Sequence, residues 1–330
     1  MLYVAVIGGG YIGDCHLSAY GSMDPALAKV TAVVDANPVA GQKMAEKAGC
    51  QWYPSLEEAV GEQPVDVVDI CVPTFLHELF AVKAAGLGKH VLCEKPVTLS
   101  LASFDRMTAA CQEHGVRFMT AQVVRFMPVY VEAARRIREL GQIHMLSEKR
   151  LCQHPLWTSW HRDPAKSGGG LFDLNTHDID YIYSLFGLPE SVTSVGWKSE
   201  TGCWNHVTQL LRWKDRQAVC ETSMEMTGDF PFTTELCAVG DQGTVSYHSS
   251  AGVNIKEAKA IESFICYPKG GAPEAPEVPE YDAFRMMIEA FLRAIENRGP
   301  MPIPPEQTRD VVRILEASQK SLETGKTVYL

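Results

Sequence analysis

The sequence predicts an α/β protein in two parts. An amino-terminal doubly wound parallel sheet spans residues 1–121, and a carboxy-terminal α+β domain with a large, mostly antiparallel open sheet spans 122–330. Three observations carry this. Residues 1–121 alternate short apolar, β-branched runs with amphipathic helical stretches, the pattern of a parallel sheet covered on both faces. A glycine turn joins the first run to the first helical stretch. Past residue 190 the texture changes to successive strands with few helices between them. A single core rarely grows beyond about 250–300 residues, so a chain of 330 residues is expected to divide in this way.

In order, Tyr3–Ile7, Val30–Val34, Val65–Val72, His90–Cys93 and Phe118–Ala121 are of strand length and nearly all apolar. Between them lie helical candidates at Tyr11–Tyr20, Val39–Ala48, His77–Leu87 and Leu99–His114. A further helix is expected over Pro128–Leu140, with Val129, Ala133, Ile137 and Leu140 on one side and Arg135, Arg136, Arg138 and Glu139 largely on the other. Another is expected from Leu171 onward, with Ile179, Ile182, Tyr183 and Phe186 apolar. The strands Thr193–Trp197, His206–Trp213, Gln217–Met224, Glu235–Gly240 and Gly243–Tyr247 follow as an antiparallel meander, turning at Lys214–Arg216 and Gly240–Gly243. A Pro/Gly-rich loop near 270–279 precedes two helices, Tyr281–Asn297 and Pro305–Glu323.

Composition narrows the function classes. The chain carries 30 Lys+Arg against 40 Asp+Glu, a net charge of −10, which gives no footprint for a phosphate backbone and disfavours nucleic-acid binding. No run of 18 apolar residues exists, so no membrane-spanning helix is expected. The residues from Met1 to Ile7 do not read as a signal peptide. Ten scattered cysteines without a CxxC pair read as reduced thiols of a cytoplasmic protein, neither a disulfide frame nor a zinc site.

The first turn, Gly8-Gly9-Gly10-Tyr11-Ile12-Gly13, fits GxGxxG. That pattern is weak alone; its place between a strand and a helix makes it a dinucleotide fingerprint. Gly8 permits the tight turn, Gly10 lets the backbone approach the pyrophosphate, and Gly13 lets helix and strand pack closely. Tyr11 and Ile12 belong to the same cofactor-binding set. Asp35 ends the second strand, 22 positions after Gly13. There a carboxylate accepts hydrogen bonds from ribose hydroxyls and repels a 2′-phosphate, and Ala36, Asn37 and Pro38 bring no Arg. NAD is therefore favoured over NADP, the alternative being a carboxylate that caps the next helix.

Two further constellations stand out. Glu94-Lys95-Pro96 follows the strand His90–Cys93, at the edge where open α/β sheets bind ligands. There Lys95 could hydrogen-bond a substrate oxygen as charge develops, although a strand-end Lys can also be a solvated charge. Gly168-Gly169-Gly170 leads into a stretch with Asp173 and His177 at i and i+4, and Asp180 at i+7. A His beside a carboxylate on a helix is a candidate general base; the alternative is a histidine satisfied by Asp173 or Asp180. No ligand set for a metal completes itself around this pair. Trp157, Trp160 and Arg162 precede the glycines on a loop that could stack on and hydrogen-bond a polyol, or simply pack.

Taken together, the chain resembles the Gfo/Idh/MocA oxidoreductases, the family of glucose–fructose oxidoreductase and inositol 2-dehydrogenase. The resemblance rests on Gly8–Gly13 with His16, Asp35, Val72-Pro73-Thr74 with His77, and Glu94-Lys95-Pro96. It continues through Arg125-Phe126-Met127-Pro128, Trp160-His161-Arg162, and Gly168–Gly170 with Asp173, His177 and Asp180. It implies an amino-terminal Rossmann domain with Lys95, Asp173 and His177 as the catalytic group. It also implies that Pro73, Thr74, His77, Glu94, Lys95 and Gln122 lie with the cofactor, that Gln122 and Arg125 line the domain junction, and that Arg125 joins Lys95, Trp160, Arg162, Asp173 and His177 at the substrate. One departure is Asn175, where many sugar and inositol dehydrogenases have Gly.

The activity so implied is NAD-dependent oxidation of a secondary alcohol of a sugar, inositol or glycoside. A variant of this class keeps NAD bound through both half-reactions, so that one sugar is oxidised and another reduced. A third possibility is lyase-like chemistry through transient oxidation. The rival class is a non-catalytic NAD sensor on the same fold, which has no need of Lys95, Asp173 and His177 together. A meander sheet with helices for one face predicts a homodimer or homotetramer.

Overall fold

In the computed structural model the amino-terminal segment runs β1 (Leu2–Ile7), α1 (Tyr11–Gly21), β2 (Ala28–Val34), α2 (Pro38–Ala48), β3 (Gln51–Tyr53), α3 (Leu56–Glu62), β4 (Val67–Ile70), α4 (His77–Gly86), β5 (His90–Glu94), α5 (Leu101–Glu113) and β6 (Phe118–Ala121). The structure describes residues 1–154, 159–252 and 261–330. The six strands form one parallel sheet in the order β3-β2-β1-β4-β5-β6. The order reverses between β1 and β4, and ligands of such sheets bind in the crevice outside the strand ends there. The five expected strands are present. β3 and α3 are additions, and both are short: β3 is three residues at the sheet edge, and α3 is seven residues started by the Ser55 hydroxyl, which accepts the Glu58 N–H.

This sheet belongs to a compact unit made of Met1–Phe126 and Tyr281–Arg309. The helix Ala283–Glu296 packs against α1 and the turn at Val123–Phe126, burying Met287, Ile288, Phe291 and Leu292. A linear division at residue 121 assigns that helix to the second part; its apolar stripe instead completes the first.

The second unit comprises Met127–Glu280 and Asp310–Leu330. Through this stretch the elements are α6 (Pro128–Arg138), β7 (Ile143–Leu151), α7 (Pro164–Ser167), α8 (Gly170–Asp173), α9 (Thr176–Phe186), β8 (Ser191–Lys198), β9 (Trp204–Arg212), β10 (Gln217–Ser223), β11 (Phe232–Gly240), β12 (Gly243–Ala251), β13 (Ile261–Pro268), α10 (Ala283–Glu296, of the first unit), α11 (Pro305–Thr324) and β14 (Val328–Tyr329). Among the described residues the sheet has the order β13-β12-β11-β7-β10-β9-β8-β14, antiparallel except for the pair β7–β10. The expected meander holds only in two parts, β8-β9-β10 and β11-β12: β7, which its buried charges kept from reading as a strand, lies between β10 and β11 and pairs parallel with β10. Both predicted hairpin tips join consecutive, paired strands.

The helix expected to run unbroken from Leu171 is interrupted. α8 ends at Asp173, the Asn175 N–H reaches back five residues to the Gly170 carbonyl, and α9 starts at Thr176. The buried Asn175 side chain causes this, donating to Thr222 Oγ1 at 2.7 Å and Cys220 Sγ at 2.9 Å on β10.

One face of the second sheet is buried, and it holds charge. Arg150 on β7 donates to Asp178 Oδ1 at 2.6 and 2.9 Å and to the Tyr130 hydroxyl at 3.1 Å. Burial and the Asp178 charge push the Glu148 carboxyl well above the usual range. Among the described residues no helix is long and apolar enough to cross a membrane.

Candidate active site

In the first unit the glycine turn does what its sequence suggests. Gly8 has φ +108, and a Cβ there would lie 2.5 Å from the Cys71 carbonyl oxygen at the end of β4. A Cβ on Gly13 would strike the Gly8 carbonyl, so helix and turn touch backbone to backbone. Among the described residues no atom beyond its chain neighbours lies within 4 Å of where a Gly10 Cβ would be, and no side chain caps α1. An open cradle at an uncapped helix N-terminus fits a pyrophosphate. Tyr11 is exposed and Ile12 partly so. Asp35 follows β2 directly, with its carboxyl held toward this turn: Oδ2 accepts the Gly9 N–H, and Oδ1 accepts the Asn37 N–H at 2.7 Å. Gln122, just past β6, is buried, and its Oε1 has no partner among the described residues. These features fit a dinucleotide.

The loop after β4 carries Pro73, partly accessible, and Thr74, buried. His77 is buried too, and its ring meets backbone: Nε2 lies 2.8 Å from the Val72 carbonyl, and Nδ1 lies 3.1 and 3.2 Å from the carbonyls of Pro96 and Val97. Burial pushes its pKa down. His77 thus ties two loops at the sheet edge together. Glu94 is 3% exposed and turned inward, with Oε2 accepting the Lys95 N–H at 3.0 Å. Between Val91 and Thr98 Lys95 alone is partly accessible. Arg125 Nη1 donates to Gln307 Oε1 within the same unit.

In the second unit, Asp173 and His177 hold an equivalent position. From Gly170 to Ile182 every other residue is buried, and these two are partly accessible. The carboxylate has a neighbour that spacing did not suggest: His161 Nε2 lies 3.8 Å from Asp173 Oδ2, and the His161 ring stacks on Trp160 at 3.8 Å. Arg162 is exposed; Trp157 lies outside the described residues. Asp180 is fully buried. His154, at the end of the β7 extension, has both ring nitrogens buried without a partner among the described residues. Burial and the Arg162 charge push its pKa down, while Glu225 and Asp173 act the other way. His161, His154 and Glu225 are therefore additions to the candidate site. His161 sat within a quoted motif; nothing in the spacing of the other two pointed here.

Two family models match consecutive stretches of the chain. Residues 2–122 match the oxidoreductase family with an NAD-binding Rossmann fold, and residues 130–246 match the GFO/IDH/MocA C-terminal domain. The chain belongs to the GFO/IDH/MocA family. Its first unit is accordingly a Rossmann domain of the NAD-binding kind. Among curated GFO/IDH/MocA relatives, it is 27% identical to scyllo-inositol 2-dehydrogenase (NADP(+)) of Bacillus subtilis, over 98% of this chain and 97% of that protein. It is 35% identical to 2,7-anhydro-N-acetylneuraminate hydratase of Escherichia coli over 59% of this chain and 53% of that protein, so the chain spans about half the length of that relative. The solved aldose-aldose oxidoreductase of Caulobacter crescentus shares the fold, with a TM-score of 0.87 at 21% identity over 100% of this chain and 99% of that one.

Proposed function

We propose that the protein is an NAD-dependent dehydrogenase that oxidises a secondary alcohol of a sugar, cyclic polyol or glycoside. One observation carries this reading. In two otherwise buried stretches, the side chains left accessible are a lysine at the edge of the nucleotide-binding sheet and an Asp/His pair in the other unit. Gly8, Gly10, Gly13, Asp35 and Gln122 hold the cofactor, which supplies the hydride acceptor when bound. His177 takes the proton of the substrate hydroxyl, Asp173 orients the proton acceptor, and the Lys95 ammonium donates to the substrate oxygen as it gains negative charge. Trp160 and Arg162 contribute to holding the polyol. A sensor has no use for this accessible triad.

The decisive experiment incubates the purified protein with NAD and a panel of inositols, aldoses, sugar acids and glycosides while recording NADH absorbance. NADH formation with at least one of them is expected, and NAD binding without turnover across the whole panel favours the sensor. The 35% identity to a hydratase supports a second reading. In it the substrate would be oxidised, would gain or lose water or a leaving group while it is a ketone, and would then be reduced again with NAD retained, so that it is consumed without net NADH.

We further assign the protein to the cytoplasm and to a homodimer or homotetramer. All ten cysteines are thiols, which suits a reducing compartment. The second face of the large sheet, with Met145, Leu210 and Val219 partly accessible and Trp197 55% exposed, is suited to a second copy. A monomeric mass by light scattering at micromolar concentration overturns that assignment.

A further inference from the structure

Beneath the glycine turn lies a buried polar cluster that the proposed chemistry does not use. His16 on α1 is fully buried. Its Nδ1 lies 2.9 Å from Asp69 Oδ2 on β4, and its Nε2 lies 3.0 Å from Glu94 Oε1 at the end of β5. The Tyr20 hydroxyl donates to the same Asp69 oxygen at 3.0 Å. The Cys71 thiol donates to Asp69 Oδ1 at 3.6 Å and lies 3.4 Å from His16 Nδ1. The Phe284 ring closes the remaining side, 5.4 Å from the imidazole.

A neutral imidazole carries one N–H and has one acceptor nitrogen. Here both nitrogens face carboxyl oxygens, and the Asp69 oxygen already receives the Tyr20 proton. A ring that donates on both sides must carry two protons, and a buried cation between two carboxylates is the arrangement in which such a charge is tolerated. The cluster therefore joins three elements through one ion: the helix of the nucleotide turn, the switch-point strand β4, and the strand β5 that leads into Lys95.

The junction with β5 matters most. Glu94 has one oxygen on His16 and the other on the backbone N–H of Lys95. The ring fixes the carboxylate, and the carboxylate fixes where the Lys95 backbone begins its turn. His77 holds the far side of that turn through Pro96 and Val97. We propose that His16 is a doubly protonated positioning residue that acts through Glu94 to hold Lys95 in place. The inference rests on the catalytic reading of Lys95, and its tests separate the two.

The first test needs no activity. In protein labelled with ¹⁵N in the histidine rings, without cofactor, both His16 nitrogens should carry protons above pH 7.5. A singly protonated ring overturns the ion. In hydrogen exchange the Lys95 amide should exchange at least about tenfold faster in Glu94→Gln and in His16→Gln than in wild type. An unchanged rate overturns the link from ring to backbone.

The second test uses turnover with whichever substrate the panel yields. His16→Gln and Glu94→Gln should each lower kcat by roughly 10- to 100-fold, the scale of a misplacement of about 1 Å, with the KM for NAD changed less than about threefold. In a Lys95→Ala background, adding His16→Gln should change kcat no further, because the route through Lys95 is already cut. A further loss of the same size means that the ring supports something other than Lys95 and overturns the proposal. Glu94→Gln keeps volume and shape, and it carries the test if His16→Gln fails to fold. If Lys95→Ala keeps its kcat, the catalytic reading of Lys95 fails. If Lys95→Ala is impaired while a folded His16→Gln is normal, the positioning role alone fails.

Discussion

Asn205 on β9 and Gly170 at the start of α8 are fastened to each other: Asn205 Oδ1 accepts the Gly170 N–H at 2.9 Å, and Asn205 Nδ2 donates to Glu225 Oε1 at 2.6 Å and to Ser199 Oγ at 3.2 Å. One buried amide thus sets the glycine turn that delivers Asp173 and anchors Glu225. Asn205→Ala leaves buried donors and acceptors unmatched and should cost about 1–3 kcal/mol by denaturant unfolding. It should also lower kcat more than it raises KM. Wild-type stability and kcat in this variant would remove Asn205 from the account.

Asp35 should set the choice of cofactor. Its two oxygens are already held by Gly9 and Asn37, so the carboxylate cannot swing away from a 2′-phosphate. NAD should be preferred over NADP by at least about tenfold in kcat/KM, about 1.4 kcal/mol. Asp35→Ser combined with Ala36→Arg should move the preference toward NADP. Equal use of both cofactors by the wild type contradicts this.

The three accessible residues should separate by role. His177→Ala should lower kcat by roughly 10²–10⁴ while NAD binding persists, since general-base catalysis contributes about that much. Asp173→Ala should cost less, and Lys95→Ala should lower kcat more than it raises KM. The rising limb of kcat/KM with pH should disappear in His177→Ala. If that variant keeps near-normal kcat at every pH, the proton leaves by another route.

Arg150 and Asp178 form a pair buried under α9. Removing one partner strands the other's charge, so Arg150→Met should destabilise the fold by about 3–5 kcal/mol. Chemical denaturation measures this directly, and a loss below about 1 kcal/mol would mean that Asp178 finds another cation or a proton.

His16 makes a signed prediction for stability against pH. Burial alone would lower its pKa, but the Asp69 charge overrides this and holds the native value well above the ordinary 6.5. A group whose native pKa is raised contributes fully below its unfolded value and loses that contribution as pH climbs through the native one. The stability gap between wild type and His16→Gln should therefore be widest in acid to neutral solution and narrow on the alkaline side. A gap that widens with rising pH reverses the assigned charge.

The parallel sheet was readable because its strands are buried on both faces and spell that out as continuous apolar runs, with the glycine turn marking the switch point. β7 was not, because Glu148 and Arg150 occupy its buried face and hide the alternation. The break in the helix at Asn175 was invisible to a period of 3.6, since its cause is a bond to β10, distant in sequence. Asn175 was nevertheless visible as a departure from Gly. Lys95, Asp173 and His177 were legible as residue types in context, and His161 lay in a quoted motif without a role, whereas His154 and Asn205 are placed by contacts distant in sequence, Asn205 by its bonds to Gly170 and Glu225, which periodicity does not encode.

The helix Ala283–Glu296 belongs with the amino-terminal sheet although some 160 residues separate it from β6. Chains emerge from the ribosome amino terminus first, at about 5–20 residues per second. The nucleotide-binding half is thus the first to be synthesised and among the last to be completed. Until Phe284 and its neighbours arrive, the side of α1 that carries His16 has lost its apolar cover, so a nascent chain arrested before residue 283 should bind dinucleotide poorly, and one released beyond residue 309 should bind it well.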